Sequence, residues 1–315
     1  MTSSTAEQVA ALAAGDIRTL ARAITVVETQ SDQARILLSA IAPLAAEQTP
    51  QVIGITGSPG VGKSTITAAL VSAFRKAGKR VAVLAVDPSS PFSGGALLGD
   101  RIRMQQHAND PGVYIRSMAS RGHLGGLAAT TPQVIAVLAA AQFDVVLIET
   151  VGVGQSEVEI AATADTTLVL LAPGMGDGIQ AAKAGILEIG DVFVVNKADR
   201  EGAQTTAREV QQMIALGTWP GWRPPVVLTV GNRDHGIDDL LAALTSHRDW
   251  LAQSGEDQQR RLRRVREEIL ALVASRTVLA AQRQVIELDR LCQQVLGGGI
   301  DAYSAADDLA RHLAP

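Results

Sequence analysis

Val52-Ile53-Gly54-Ile55-Thr56-Gly57-Ser58-Pro59-Gly60-Val61-Gly62-Lys63-Ser64-Thr65 decides how this chain folds. An apolar, β-branched run leads into a glycine-rich loop, and Ser64 to Ala77 then reads as helix. Gly57 to Thr65 matches G-x-x-x-x-G-K-[ST], with the strand before it and the helix after it that the motif requires. The glycines let backbone N–H groups turn inward around phosphate oxygens, and a side chain at Gly57 or Gly62 obstructs that approach. Lys63 sets a point charge against the β- and γ-phosphates, and Ser64 offers a hydroxyl to Mg²⁺. The helix beginning there adds its positive end. All nine residues, including Ser58, Pro59, Gly60, Val61 and Thr65, are candidate nucleotide-binding residues, with Lys63 also a candidate catalytic one.

Outward from this loop, short runs rich in Val, Ile and Leu alternate with helical stretches. The strand-like runs are Val81 to Val86, Val113 to Arg116, Val145 to Glu149, Thr167 to Leu171, Val192 to Asn196 and Val226 to Thr229. Helical stretches include Thr131 to Ala141 and Ile179 to Ile186. Several strands are apolar on both faces, as strands covered by helices on each side must be. The expected fold class is α/β, a doubly wound and mostly parallel sheet spanning 51–250. Helical extensions flank it at 1–50 and 251–315. In the first extension, Gly15-Asp16 marks a break with Asp16 as N-cap of the second helix. In the last, 256–296 reads as one long helix. Leu262, Val265, Ile269, Leu272, Leu279 and Ile286 fall on a heptad seam that Arg276 and Arg283 interrupt. That seam fits packing against the chain's own domain or a dimer contact.

Asn196-Lys197-Ala198-Asp199 follows a later strand and matches N-K-x-D. A carboxylate at Asp199 accepts from both the ring N–H and the 2-amino group of guanine. Adenine presents an acceptor there and has no 2-amino group, so the buried charge is left unpaired. Asn196 is expected to hold the loop, and the stem of Lys197 to lie along the base. The two motifs together point to a P-loop GTPase domain binding GTP or GDP with Mg²⁺. Asp87 and Glu149 close strands at the sheet's C-terminal edge, where ligands of open α/β sheets bind and a hard cation finds oxygen ligands. Glu149-Thr150-Val151-Gly152 is like a D-x-x-G switch with Glu for Asp. Val153 stands where many GTPases place a water-orienting Gln, leaving Gln155 as the candidate substitute and slow intrinsic hydrolysis as the expectation.

Composition excludes several alternatives. The chain has 315 residues, a net charge of −4 and a pI near 5.8, without the basic excess of a general nucleic-acid binder. The run Arg260, Arg261, Arg263, Arg264 and Arg266 reads as the solvated face of a helix. A single cysteine, Cys292, permits no internal disulfide and suggests a reducing, cytoplasmic setting. The N-terminus has no secretory pattern, and no apolar run approaches the ~18 residues of a membrane span. The five histidines show no metal-ligand spacing.

Several further stretches carry a family resemblance. They are Gly15-Asp16-Ile17-Arg18, Leu20-Ala21-Arg22-Ala23-Ile24, Val86-Asp87-Pro88-Ser89-Ser90-Pro91 and Gly94 to Met104. Glu149 to Glu157 and Gly176 to Gly185 are more specific still. Together with the two motifs, they resemble the methylmalonyl-CoA mutase-associated GTPases of the MeaB/ArgK type over about residues 15–295. The resemblance implies a G domain between N-terminal helices and a C-terminal dimerisation arm. It implies a homodimer and a chaperone role: binding an adenosylcobalamin-dependent acyl-CoA mutase, gating cofactor delivery and protecting that enzyme. It places Asp87, Asp100 and Glu149 around Mg²⁺ with Ser64. It places Asp177, Gln180 and Lys183 in a switch loop coupling nucleotide state to the mutase, with Lys183, like Glu149 and Gln155, a candidate catalytic residue. Where the family's last base-contacting loop usually reads Ser-Ala-x, this chain has Thr229-Val230-Gly231-Asn232, so Val230, Gly231 and Asn232 are the candidates there. The cobalamin signature D-x-H-x-x-G is absent, so the cofactor is expected on a separate mutase chain. Two other functions compete: a nucleotide-dependent protein kinase of a lysine/arginine/ornithine transport system, and a metallochaperone. The sequence offers the first no acceptor-side base and the second no Cys or His cluster.

Overall fold

The structure is a computed structural model that describes residues 5–29, 31–87, 107, 109–119, 130–150, 156–174 and 186–313. The chain divides into two compact units, residues 1–257 and 258–315.

The first unit is built on seven strands, all parallel: β1 (Gln51–Thr56), β2 (Val81–Asp87), β3 (Val113–Ala119), β4 (Val145–Thr150), β5 (Thr166–Leu171), β6 (Val192–Asn196) and β7 (Val226–Thr229). Their order across the sheet is β3-β2-β4-β1-β5-β6-β7. Strand β1 is central, with Ile55 level with Glu149 of β4 on one side and Thr56 level with Val169 of β5 on the other. The expected α/β sheet is therefore present, and it is parallel throughout. Its inner strands are buried at every position of β4, β5 and β6, which is why they read as continuous apolar runs.

Side chains alternate between two cores. Ile53, Ile55, Leu147 and Leu168 face helix α4 (Lys63–Lys76) and the helix Ile237–Ser254. Val52, Val146 and Ile148 face α5 (Thr131–Ala140) and α6 (Ser156–Thr163), whose Val134, Leu138 and Ile160 are buried against them. The three N-terminal helices, α1 (Thr5–Ala13), α2 (Ile17–Glu28) and α3 (Asp32–Glu47), join that second core through Leu12, Leu20, Ile24, Leu37 and Ile41. Asp16 caps α2, its Oδ1 accepting from the Arg18 N–H at 2.7 Å and the Thr19 N–H at 3.1 Å, while Gly15 turns the chain at φ +78°. Arg116 of β3 pairs with Glu28 of α2 and fastens the helices to the edge of the sheet.

The second unit corrects one expectation. The helix beginning at Glu256 ends at Arg283, and Val285–Leu296 runs on from it at 86°. Gln284 leaves helical geometry at φ −85°, ψ 52°. The bend turns Leu291 onto the helix Ala302–Leu313, where Leu291 and Ala305 are buried. Burial thus overrides a pattern without glycine or proline. The seam on Glu256–Arg283 is solvent-exposed within this chain, Leu262, Val265, Ile269 and Leu279 among its residues. No single helix among the described residues is long and apolar enough to cross a membrane.

Candidate functional site

The loop between β1 and α4 is shaped by glycines at two points. Gly57 lies at φ +140°, and a Cβ there would meet the Leu170 carbonyl oxygen at 2.3 Å. Gly62 lies at φ +98°, and a Cβ there would meet Asn196 Nδ2 at 2.3 Å. The first closeness seats the loop against β5, and the second seats it against the end of β6. Lys63, almost fully buried, opens α4. Its Nζ donates to the Gly57 carbonyl at 2.7 Å and the Ser58 carbonyl at 3.3 Å, so the ammonium is held across the mouth of the loop.

One turn of α4 also holds a carboxylate. Glu149, at the end of β4 and only 4% exposed, accepts from the Ser64 hydroxyl through Oε1 at 2.6 Å. Its Oε2 accepts from the Thr67 hydroxyl at 2.9 Å. Parallel pairing of β4 with β1 at Ile55 and Glu149 makes this inevitable: the acid emerges level with the loop's first turn. Asp87 ends β2 at the same edge, one position beyond the Val86–Thr150 pair. Thr67 is a residue that motif reading passes over. Its signal is weak but real: it lies three positions from Ser64, so both hydroxyls share one helix face.

The N-K-x-D loop meets the phosphate loop directly. Asn196 Nδ2 donates to the Val61 carbonyl at 2.9 Å, and Lys197 Nζ donates to the Gly60 carbonyl at 2.6 Å. The other end of the Asn196 amide accepts from the Thr229 hydroxyl and the Gly231 N–H, both at 3.2 Å. One buried amide therefore ties together the phosphate loop, the end of β6 and the turn after β7. Lys197 adopts φ +58°, and the Ala198 N–H donates to the Thr229 carbonyl at 3.0 Å, which carries the chain round to Asp199. The Asp199 carboxylate is more than a third exposed and lies 3.9 Å from the Arg233 guanidinium. Val230 and His235 bridge, and Gly231–Arg233, which includes Asn232, makes a 3₁₀ turn that brings Gly231 beside Asn196. A Cβ on Gly231 would come 2.8 Å from Ile66 Cδ1, so this turn packs closely on α4.

Phosphate cradle, acid and base loop thus stand at one edge of one sheet, in contact with one another. Asp100, Gln155, Asp177, Gln180 and Lys183 lie outside the described residues, as do the Asp87 side chain and most of the expected helix Ile179 to Ile186.

A family model described as "Methylmalonyl Co-A mutase-associated GTPase MeaB" matches residues 20–285. The chain belongs to that family. Among relatives, a Pyrococcus abyssi protein named as a GTPase is 47% identical over 307 residues, covering 95% of this chain and 94% of the relative. The GTPase ArgK of Escherichia coli is 37% identical over 263 residues, covering 81% and 79%. A crystal structure described as LAO/AO transport system kinase superposes with a TM-score of 0.73 at 26% identity, covering 98% of this chain and 97% of that one. As a member of the family, the protein is a P-loop GTPase, and its family's name carries the association with a mutase.

Proposed function

We propose that this GTPase is a slow, Mg²⁺-dependent switch that guards an adenosylcobalamin-dependent acyl-CoA mutase in the cytoplasm. The observation that carries the nucleotide part is the clamp of Asn196 and Lys197 on the Val61 and Gly60 carbonyls, which sets the phosphate cradle and the base loop to the two ends of one molecule. Gly57 to Thr65 wrap the phosphates and Lys63 charges the β- and γ-oxygens. Asp199 reads guanine, Lys197 lies along the base, and Val230, Gly231 and Asn232 border it.

The residues present fit Mg²⁺. Ser64 donates its hydroxyl proton to Glu149 at 2.6 Å, so toward a hard cation it acts as an oxygen acceptor. Among the described residues, no three His, Cys, Asp or Glu side chains converge. In this reading the nucleotide's own oxygens complete the set that Ser64, Glu149, Asp87 and Asp100 begin. When bound, the ion neutralises charge on the β- and γ-phosphates. Val153 where a water-orienting glutamine usually stands supports a low intrinsic rate, with Gln155 and Lys183 as the candidates to assist. Asp177, Gln180 and Lys183 belong to the loop that reports nucleotide state.

The mutase is supported by the family description, and its test is binding. Affinity for the same organism's acyl-CoA mutase should differ between GTP- and GDP-loaded protein. Binding that ignores the nucleotide, or none at all, refutes the chaperone role. The fold neighbour described as a transport system kinase favours a second reading, phosphoryl transfer to a transport protein. Incubation with γ-labelled GTP and that acceptor separates the two, since label found only on inorganic phosphate eliminates the kinase. The exposed seam of Glu256–Arg283 supports a homodimer through the C-terminal helices. Sedimentation should show a dimer that Ile269→Asp converts to monomer, and a wild-type monomer sinks this assignment.

A further inference from the structure

Two hydroxyls of one helix turn, Ser64 and Thr67, hold the two oxygens of a single buried carboxylate. Only the first belongs to the motif. Thr67 is fully buried, and its Oγ1 also lies 3.0 Å from the Lys63 carbonyl, one turn back. Threonine in a helix divides between rotamers because its hydroxyl can seek that carbonyl. Here one rotamer places the hydroxyl within reach of two acceptors, the carbonyl and Glu149 Oε2, and its single proton is shared between them. The last torsion of a glutamate is otherwise broad and nearly two-fold. The Thr67 hydroxyl is one of the groups that orient Oε2, and without it the acceptor that takes the Ser64 proton is less firmly set.

We propose that Thr67 is a positioning residue for cation-dependent nucleotide binding: its hydroxyl fixes the Glu149 carboxylate so that Ser64 presents its oxygen to Mg²⁺. The inference rests on the Mg²⁺ reading above and extends it to a residue outside every motif. A merely structural threonine, back-bonded to Lys63, predicts instead that losing the hydroxyl weakens folding and leaves the cation dependence alone.

The experiment is titration of a fluorescent GDP analogue with wild type, Thr67→Val and Thr67→Ser, in EDTA and across a Mg²⁺ series. Ligand-free melting curves accompany each protein. Thr67→Val should raise the half-saturating Mg²⁺ about 5- to 20-fold, below the full weight of a hydrogen bond to a charged group because the Lys63 carbonyl shares the proton. Affinity in EDTA should stay unchanged, and Thr67→Ser should remain within about two-fold of wild type, since the hydroxyl is retained. Thr67→Ala compared with Thr67→Ser gives the same contrast should valine disturb packing. An unchanged Mg²⁺ requirement in Thr67→Val, or equal losses with and without Mg²⁺, overturns the proposal alone. Wild-type binding indifferent to Mg²⁺ overturns the cation reading itself, and the proposal with it.

Discussion

Replacing Gly62 by alanine tests the link between the two ends of the nucleotide site. The new Cβ lands 2.3 Å from Asn196 Nδ2, inside any real contact distance. Asn196 is 3% exposed and has little room, so it must give up its 2.9 Å bond to the Val61 carbonyl. A buried polar group left unpaired costs about 1–3 kcal/mol. The backbone adds a second penalty, because φ is +98° at this position. For a residue with a side chain, that left-handed region costs roughly 1–2 kcal/mol. The two together, about 2–5 kcal/mol, should lower the melting temperature by roughly 5–15 °C in a domain of this size. The displaced asparagine should also weaken GDP by about 10- to 100-fold, since ~1.4 kcal/mol is tenfold. Gly78→Ala, beyond the end of α4, is the control: its φ is +75°, but nothing lies within 4 Å of the added Cβ. It should show the backbone penalty and little loss of affinity. Thermal melts and fluorescent-GDP titrations of both variants decide the matter. In Gly62→Ala/Asn196→Ala the clash is gone, so the losses should be smaller than the sum of the singles. Wild-type affinity in Gly62→Ala, or equal losses at Gly78 and Gly62, would falsify the account of a glycine kept for the asparagine behind it.

Other perturbations reach different parts of the molecule. Asp199→Asn should weaken GTP by at least ~100-fold, because two donors of guanine lose a shared acceptor, and should favour xanthine nucleotides; competition titrations with the two nucleotides measure it. Arg75 grips Asp110 through two 2.9 Å bonds, and with the Gly112 N–H it holds that carboxyl below the usual range. A depressed folded pKa gives stability that is present above the unfolded value and is lost as pH falls through the folded one. Asp110→Asn should therefore cost about 1 kcal/mol at neutral pH and progressively less as pH falls through the folded pKa, read from urea midpoints across pH. His247→Ala should cost about 3–5 kcal/mol through lost packing. The ring is fully buried between Trp222 and Trp250, with Nδ1 2.8 Å from the Thr166 hydroxyl and Nε2 3.3 Å from Asp191. Thr166 and Asp191 stand at the starts of β5 and β6, at the far edge from the nucleotide, so GDP affinity should not change.

Much of this fold is legible in local pattern. The strands announce themselves because both faces are covered, and Asp16 because a carboxylate beside two free N–H groups has one obvious use. Order across the sheet is another matter. That β4 rather than β2 lies beside β1 follows from where the crossovers pass, and no single stretch encodes it. Thr67 is hard to read for the same reason: its place on the Ser64 face of α4 is a weak signal, and it meets Glu149 across a long sequence separation. The long helix after Glu256 shows the opposite failure. Its heptad spacing continues across Arg283 to Ile286, with arginines in two of its slots, yet the chain bends at Gln284 and Leu291 is buried on the segment beyond.

The arrangement of contacts also says where a nucleotide signal must originate. Base loop and phosphate loop are bound to each other through the Asn196 amide and the Lys197 ammonium, with the former fully buried. GDP and GTP share the base and the first two phosphates, so both engage that joined framework in the same way. A ligand moves an equilibrium only through contacts that differ between its states. The difference between GDP and GTP therefore has to enter where the third phosphate reaches. In the proposed site that is the edge of β4, where Glu149 accepts from Ser64 and Thr67 and the sequence continues into Gly152 and Gln155. Substitutions in the base loop should then shift both nucleotides alike, whereas substitutions around Glu149 should separate them. Equal effects of Glu149→Gln on GDP and on a non-hydrolysable GTP analogue, measured in Mg²⁺, would place the switch elsewhere.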